Sequence, residues 1–124
     1  MEYDIQRRNG FVAVATHGDG EVEVFQEFLN EVLGHSDWKP GTPILIDHSD
    51  LNAGPLTTDE VKRLADMINI ARFELGPSLM AVIVPGDLEY GLFRMWQVYI
   101  RDRWNGTCEI LRSSEDAVGW LMHD

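Results

Sequence analysis

The chain has 124 residues, a hydrophobic content of 44% and a formal net charge of −11. A chain of this length buries most of its apolar surface in one core, so we predict a single domain over residues 1–124. The negative charge argues against nucleic acid as a partner and disfavours peripheral contact with an anionic membrane, because both surfaces would repel the protein.

The first ten residues are largely polar and lack the apolar core of an export signal. The longest apolar run covers residues 79–84, whereas a transmembrane helix needs about 20 apolar residues. The single cysteine, Cys108, rules out an intramolecular disulfide and a cysteine cluster for zinc. We therefore expect an acidic bacterial protein of the cytoplasm, without a transmembrane segment, a metal or a cofactor.

An antiparallel hairpin is predicted at the start of the chain. Asn9 and Gly10 separate two strand patterns, residues 3–8 and 11–16, and this dipeptide favours a two-residue turn. The first pattern alternates between polar and apolar residues, as is typical of an edge strand. The second is apolar on both faces, which places it inside the sheet. Helical spacing of apolar residues over 22–33 then predicts a first helix.

Strand and helix patterns alternate in the middle of the chain. Residues 43–47 and 79–84 predict two short buried strands. Between them, Thr57 followed three residues later by Glu60 matches a capping box, which marks the start of a second helix. Apolar residues continue at helical spacing through 61–75, so that helix is expected to end at residue 75.

The stretch over residues 87–103 predicts a helix with more apolar surface than one contact with a sheet requires. Its apolar residues cover roughly half of the circumference, whereas a helix that packs on a sheet needs a stripe of about 100°. Exposed apolar patches usually mark interaction sites, so the alternatives are core packing, a homodimer interface and a groove for a small apolar ligand. The candidate ligand or interface residues are Leu92, Arg94, Met95, Trp96, Tyr99, Ile100 and Trp38.

The chain closes with a predicted strand over residues 107–111 and a helix that starts at Ser113 and Asp116. The elements together predict an α/β fold with a mixed five-stranded sheet, an N-terminal antiparallel hairpin and four helices. Periodicity does not determine the order of the strands within this sheet.

Several segments resemble the SpoIIAA-like family of small bacterial proteins. Besides the opening hairpin, the resemblance is carried by residues 38–47 (WKPGTPILID), 56–60 (LTTDE) and 90–95 (YGLFRM), and by Ala117 with residues 120–121. It implies the fold of STAS domains and a distant similarity to CRAL-TRIO lipid-transfer domains. Relatives often pair as dimers, and binding of apolar ligands and membrane association are suggested for some of them.

The resemblance also raises the alternative of a partner-binding regulator. STAS proteins that antagonise anti-sigma factors carry an Asp-Ser-Ser-Gly type phosphorylation motif at the start of the helix after the central strand. The corresponding residues here, 54–59 (GPLTTD), contain no such serine. Thr57 is explained as a helix cap in an acidic setting, which weakens this alternative.

A further alternative is a metal-dependent or acid–base enzyme. The ends of the predicted strands carry His17, Asp47, His48 and Asp50, and ligands of parallel α/β sheets bind beyond the carboxyl ends of the strands. Histidine and carboxylates can bind a metal or transfer protons. Their spacing matches no known metal motif, however, and such residues are common in turns and caps.

The remaining reactive side chains give no support to an enzyme. Cys108 alternates with Ile110 in a predicted strand, as a buried apolar residue would, and His35 and His123 have no evident partner. We therefore assign no catalytic residue. The leading hypothesis is a non-enzymatic module that self-associates through the helix over 87–103 and binds a small apolar or lipid-like molecule beside it.

Overall fold

The chain forms a five-stranded mixed sheet with helices on both faces, seen in a computed structural model that describes residues 1–122. His123, for which no partner was predicted, lies outside the described residues. The predicted α/β class, the five strands and the N-terminal hairpin are confirmed. In chain order the elements are β1 (Glu2–Arg8), β2 (Phe11–Asp19), α1 (Val22–Gly34), β3 (Ile44–Asn52), α2 (Thr58–Ile70), α3 (Arg72–Leu75), β4 (Leu79–Ile83), α4 (Asp87–Ile100), β5 (Thr107–Leu111) and α5 (Ser114–Leu121).

The strands follow one another across the sheet in the order β1-β2-β3-β4-β5. β1 and β2 are antiparallel, and the turn between them uses Gly10 at φ 99°, a left-handed conformation that glycine adopts without strain. The other neighbouring pairs are parallel. Because all three crossovers run in the same direction and crossovers are right-handed, α1, α2 and α4 lie on one face. α5 packs on the opposite face against β3, β4 and β5.

The second predicted helix is divided, so the described residues contain five helices rather than four. The break falls at Ala71, where the backbone has φ −86° and ψ 6°, outside the helical range of ψ. The guanidinium of Arg72 donates a hydrogen bond of 2.7 Å to the carbonyl of Asn69, which satisfies a carbonyl at the end of α2. Helical spacing continues across the break, and for this reason the sequence pattern did not reveal it.

β3 is longer than the predicted strand over residues 43–47 and runs through Asn52. It pairs along its length with β2, which is also longer than predicted. The register shifts between two pairs, from Ala15 opposite Asp47 to His17 opposite Asp50, so β3 contains one extra residue in a β-bulge. The polar residues that resemble a loop in the sequence are therefore held in a strand by main-chain pairing.

The predicted helix starts are confirmed. Thr57 Oγ1 accepts a hydrogen bond of 3.2 Å from the backbone N–H of Glu60, and Glu60 Oε1 accepts one of 3.0 Å from the N–H of Thr57. Ser113 Oγ accepts a hydrogen bond of 3.1 Å from the N–H of Asp116 at the start of α5. The hydroxyl group of Thr57 is thus engaged as a helix cap.

α4 ends at Ile100, one turn before the predicted end at residue 103. Beyond it, the buried indole of Trp104 donates a hydrogen bond of 2.8 Å to the carbonyl of Gly76 and so ties the end of α4 to the start of β4. No helix within residues 1–122 combines the length and apolarity that crossing a bilayer requires.

Candidate functional site

The apolar face of α4 divides between the core and the surface. Its Trp96 and Ile100 are 5% and 1% exposed, so these two predicted candidates lie inside the subunit and present little surface to a partner. Leu92, Met95 and Tyr99 are half-buried. The large apolar residues of this helix that are mainly exposed are Leu88 and Val98, at 60% and 53%. The sheet and α2 therefore cover most of the apolar side chains that the sequence predicted to be available for a partner.

A cavity of about 40 Å³ lies between the sheet and the three helices α1, α2 and α4. Its walls are almost entirely apolar and include Phe25, Leu64 and Phe93. Two lining residues carry nitrogen atoms in their side chains, namely His48 from β3 and Trp96 from α4. Sites for small molecules combine apolar walls with a few polar groups in the same way, although they usually have volumes of several hundred Å³.

His48 is buried in the core, with 1% of its surface exposed. Its ring stacks on Phe93 at 4.9 Å between ring centroids and meets Phe25 edge-on at 5.4 Å. Its Nδ1 lies 2.6 Å from Oγ1 of Thr16, which is itself buried in β2. Burial lowers the pKa of His48 to about 3, and the nearby charge of Asp47 opposes this shift only in part. The imidazole is therefore neutral at neutral pH.

The structure differs from the prediction of a polar edge formed by His17, Asp47, His48 and Asp50. His48 points into the core, whereas Asp47 accepts a hydrogen bond of 2.9 Å from the backbone N–H of Ser49. His17 and Asp50 are exposed, and His17 Nε2 lies 3.4 Å from a carboxylate oxygen of Glu2. Within residues 1–122, no three histidine, cysteine or acidic side chains are grouped closely enough to share a metal ion.

The two candidate residues outside the apolar face of α4 do not border the cavity. Trp38 is half-buried, and its indole donates a hydrogen bond of 2.8 Å to the carbonyl of Glu74, which links the loop after α1 to α3. Arg94 is exposed, and its guanidinium lies 5.9 Å from the ring centroid of Tyr90. Both residues therefore contact neighbouring surface elements.

Sequence reasoning missed the pairing of Thr16 with His48, although a signal for it was present. Side chains two residues apart in a strand point to the same face. Val12 and Val14 belong to the core cluster on the face of α1, α2 and α4, which places Thr16 on that face too. Ile44 and Ile46 belong to the same core cluster, so the alternation along β3 places His48 on that face as well. The bulge after His48 then returns Leu51 to the core.

Cys108 is half-buried on the edge strand β5, where its carbonyl accepts a hydrogen bond of 2.6 Å from Nε2 of Gln97. Burial raises the pKa of the Cys108 thiol strongly, the charge of Glu109 raises it further, and the charge of Arg101 opposes the shift. The thiol is the poorly nucleophilic form of cysteine. Cys108 is therefore expected to be unreactive, which fits a structural residue better than a nucleophile.

No protein-family model and no curated protein matches this sequence. The chain is similar in structure to an uncharacterized protein of the DUF3478 family with a SpoIIAA-like fold from Shewanella loihica PV-4. The two share 19% sequence identity, with a TM-score of 0.61 over 97% of this chain and 92% of that chain. The strand order, the N-terminal hairpin and this similarity together establish that the chain has a SpoIIAA-like α/β fold.

Proposed function

We propose that this protein is a non-catalytic binding module whose core cavity takes up a small apolar molecule. The observation that supports the proposal is the apolar space of about 40 Å³ between the sheet and α1, α2 and α4. Atoms that border empty space lose dispersion contacts, and a ligand that fills the space restores them. An engineered cavity of about 150 Å³ binds benzene, so this smaller cavity suits a ligand of only a few heavy atoms.

A groove between α1 and α2 offers a route to the cavity. It has a volume of about 190 Å³, and Leu29 and Met67 line both this groove and the cavity. Met67 is half-buried and has an unbranched, flexible side chain that can change rotamer at low cost. Movement of these two side chains would therefore admit a ligand without unfolding either helix.

Xenon is a suitable probe of this cavity because it is small and apolar and forms no hydrogen bonds. We expect saturable shifts of the methyl NMR signals of lining residues such as Leu64 when xenon is dissolved under pressure. Val82→Ile adds a methyl group on a lining residue and is expected to weaken xenon binding about fivefold or more by removing free volume.

The matched control is Val118→Ile, which adds the same methyl group on α5, on the other face of the sheet. This variant is expected to bind xenon as the wild type does. If the wild-type methyl signals show no saturable response, or if the two variants respond alike, the proposed binding site is wrong.

We propose in addition that the protein forms a homodimer through the outer side of α4. Leu88, Met95 and Val98 fall within an arc of about 80° on this helix, and the first and last of them are exposed. Apolar side chains grouped on one exposed helix face are typical of an interface. α4 therefore keeps an outward apolar stripe although its Trp96 lies in the core.

Light scattering tests the homodimer. The wild-type chain of 14.1 kDa is expected to show a mass of about 28 kDa, twice that of the monomer. Leu88→Asp with Val98→Asp is expected to give the monomer, because charges replace the apolar stripe. Ile70→Asp places the same charge on an exposed residue of α2 and should leave the dimer intact. A monomeric wild type would contradict the proposal.

A further inference from the structure

One ring nitrogen of His48 is engaged by its own chain. Nδ1 is occupied by Thr16, whose hydroxyl also lies 3.3 Å from the carbonyl oxygen of Asp47. His48 lines the cavity, and its Nδ1 faces Thr16 rather than the cavity space. We infer that Nε2 borders the cavity.

We propose, on the basis of the proposed function, that the ligand of the cavity is a small neutral alcohol whose hydroxyl group hydrogen-bonds Nε2 of His48. Its apolar body would contact the walls formed by residues such as Leu64 and Phe93. A hydroxyl group both donates and accepts a hydrogen bond, so it matches either tautomer of the ring. The ring is held in place for this contact by Phe25, Phe93 and Thr16.

Anionic ligands do not fit this cavity. Its lining contains no lysine or arginine, and the imidazole is neutral because burial lowers the pKa of His48 to about 3. A carboxylate would therefore be buried without a counter-charge, which is strongly unfavourable. A molecule that is apolar throughout fills the space but leaves Nε2 without a hydrogen bond. It is therefore expected to bind more weakly than an alcohol of the same size.

Water is also a poor occupant. A buried water molecule typically makes about three hydrogen bonds to protein groups. Among the described residues that line the cavity, His48 and Trp96 alone have side-chain nitrogen atoms. A hydroxyl group with a short apolar chain needs a single polar partner, and its remaining surface matches the apolar walls.

Ethanol and propane test the proposal because they differ only by a hydroxyl group in place of a methyl group. In the wild type, ethanol is expected to shift the NMR signal of the Nε2 nitrogen of His48, whereas dissolved propane shifts the methyl signals of lining residues and leaves the nitrogen nearly unchanged. Acetate at neutral pH is expected to produce neither change. This measurement needs no variant and does not depend on the folding of a mutant.

His48→Leu provides the second measurement. Its preference for ethanol over propane is expected to fall about tenfold relative to the wild type, because the hydrogen bond to the hydroxyl group is lost. His17→Leu, at an exposed histidine, should retain the wild-type preference. If propane and xenon bind but ethanol neither shifts Nε2 nor depends on His48, the alcohol proposal is wrong and the apolar cavity stands. If none of the three probes binds, both proposals fail.

Discussion

Gly106→Ala is expected to destabilise the fold by about 3 kcal/mol, because a methyl group at this position has no free space. A Cβ atom there would overlap Cζ2 and Cε2 of the Trp104 ring and lie 2.6 Å from the carbonyl oxygen of Ser78. Neither neighbour moves easily. Trp104 is buried and hydrogen-bonded to Gly76, and the carbonyl of Ser78 accepts the N–H of Thr107 at the start of β5. The denaturant midpoint in urea unfolding measures the loss.

The matched control is Gly91→Ala, the same substitution inside α4. Apart from the neighbouring backbone of its own helix, no atom of the described residues lies within 4 Å of a Cβ atom at this position. Alanine has a higher helix propensity than glycine by roughly 0.8 kcal/mol, so this variant is expected to be at least as stable as the wild type. Equal unfolding midpoints for Gly106→Ala and the wild type would show that the Trp104 ring does not pack against Gly106.

Acidification is expected to destabilise the wild type by about 2 kcal/mol between pH 6.5 and about pH 4.5 through His48 alone. The pKa of His48 falls from 6.5 in the unfolded chain to about 3 in the folded protein. Between these values the unfolded chain binds a proton that the folded protein does not bind. The stability from neutral His48 is therefore fully present above pH 6.5 and decreases as the pH falls toward 3, at about 1.4 kcal/mol per pH unit.

His48→Leu removes this proton uptake, so its free energy of unfolding should fall less steeply with decreasing pH. The quantity to compare is the difference between the two urea-derived stability curves, since the other titrating groups are common to both proteins. His35→Leu, at an exposed histidine, controls for the removal of one imidazole from the chain. Parallel curves for the wild type and His48→Leu would mean that His48 accepts a proton readily in the folded state.

Local features of the sequence predicted most of the secondary structure. The turn at Gly10, the cap at Thr57 and the cap at Ser113 each depend on residues a few positions apart, and all three are present in the structure. The secondary structure was predicted incorrectly where pairing between strands that are distant in the sequence holds polar residues in a strand. The end of β3 resembles a loop in the sequence, but it is a strand because β2 pairs with it through Asn52.

The candidate site was predicted only in part. Trp96 was correctly placed on an apolar face, yet its position in the wall of a cavity could not be derived from the helix alone. His48 was assigned to a polar edge because the strand was predicted to end at Asp47 and ligands bind beyond the carboxyl ends of parallel strands. Its burial depends on Thr16, which is 32 positions away in the sequence, and on two phenylalanine rings from α1 and α4.

Periodicity and contacts between near neighbours were enough to predict the five strands, four of the helices, the turn at Gly10 and the caps at Thr57 and Ser113. The strand order, the bulge after His48 and the cavity beside it depend instead on contacts between distant parts of the chain. A cavity is the space left between packed elements, so no single segment specifies it. Its size depends on how side chains from three helices and three strands fit together.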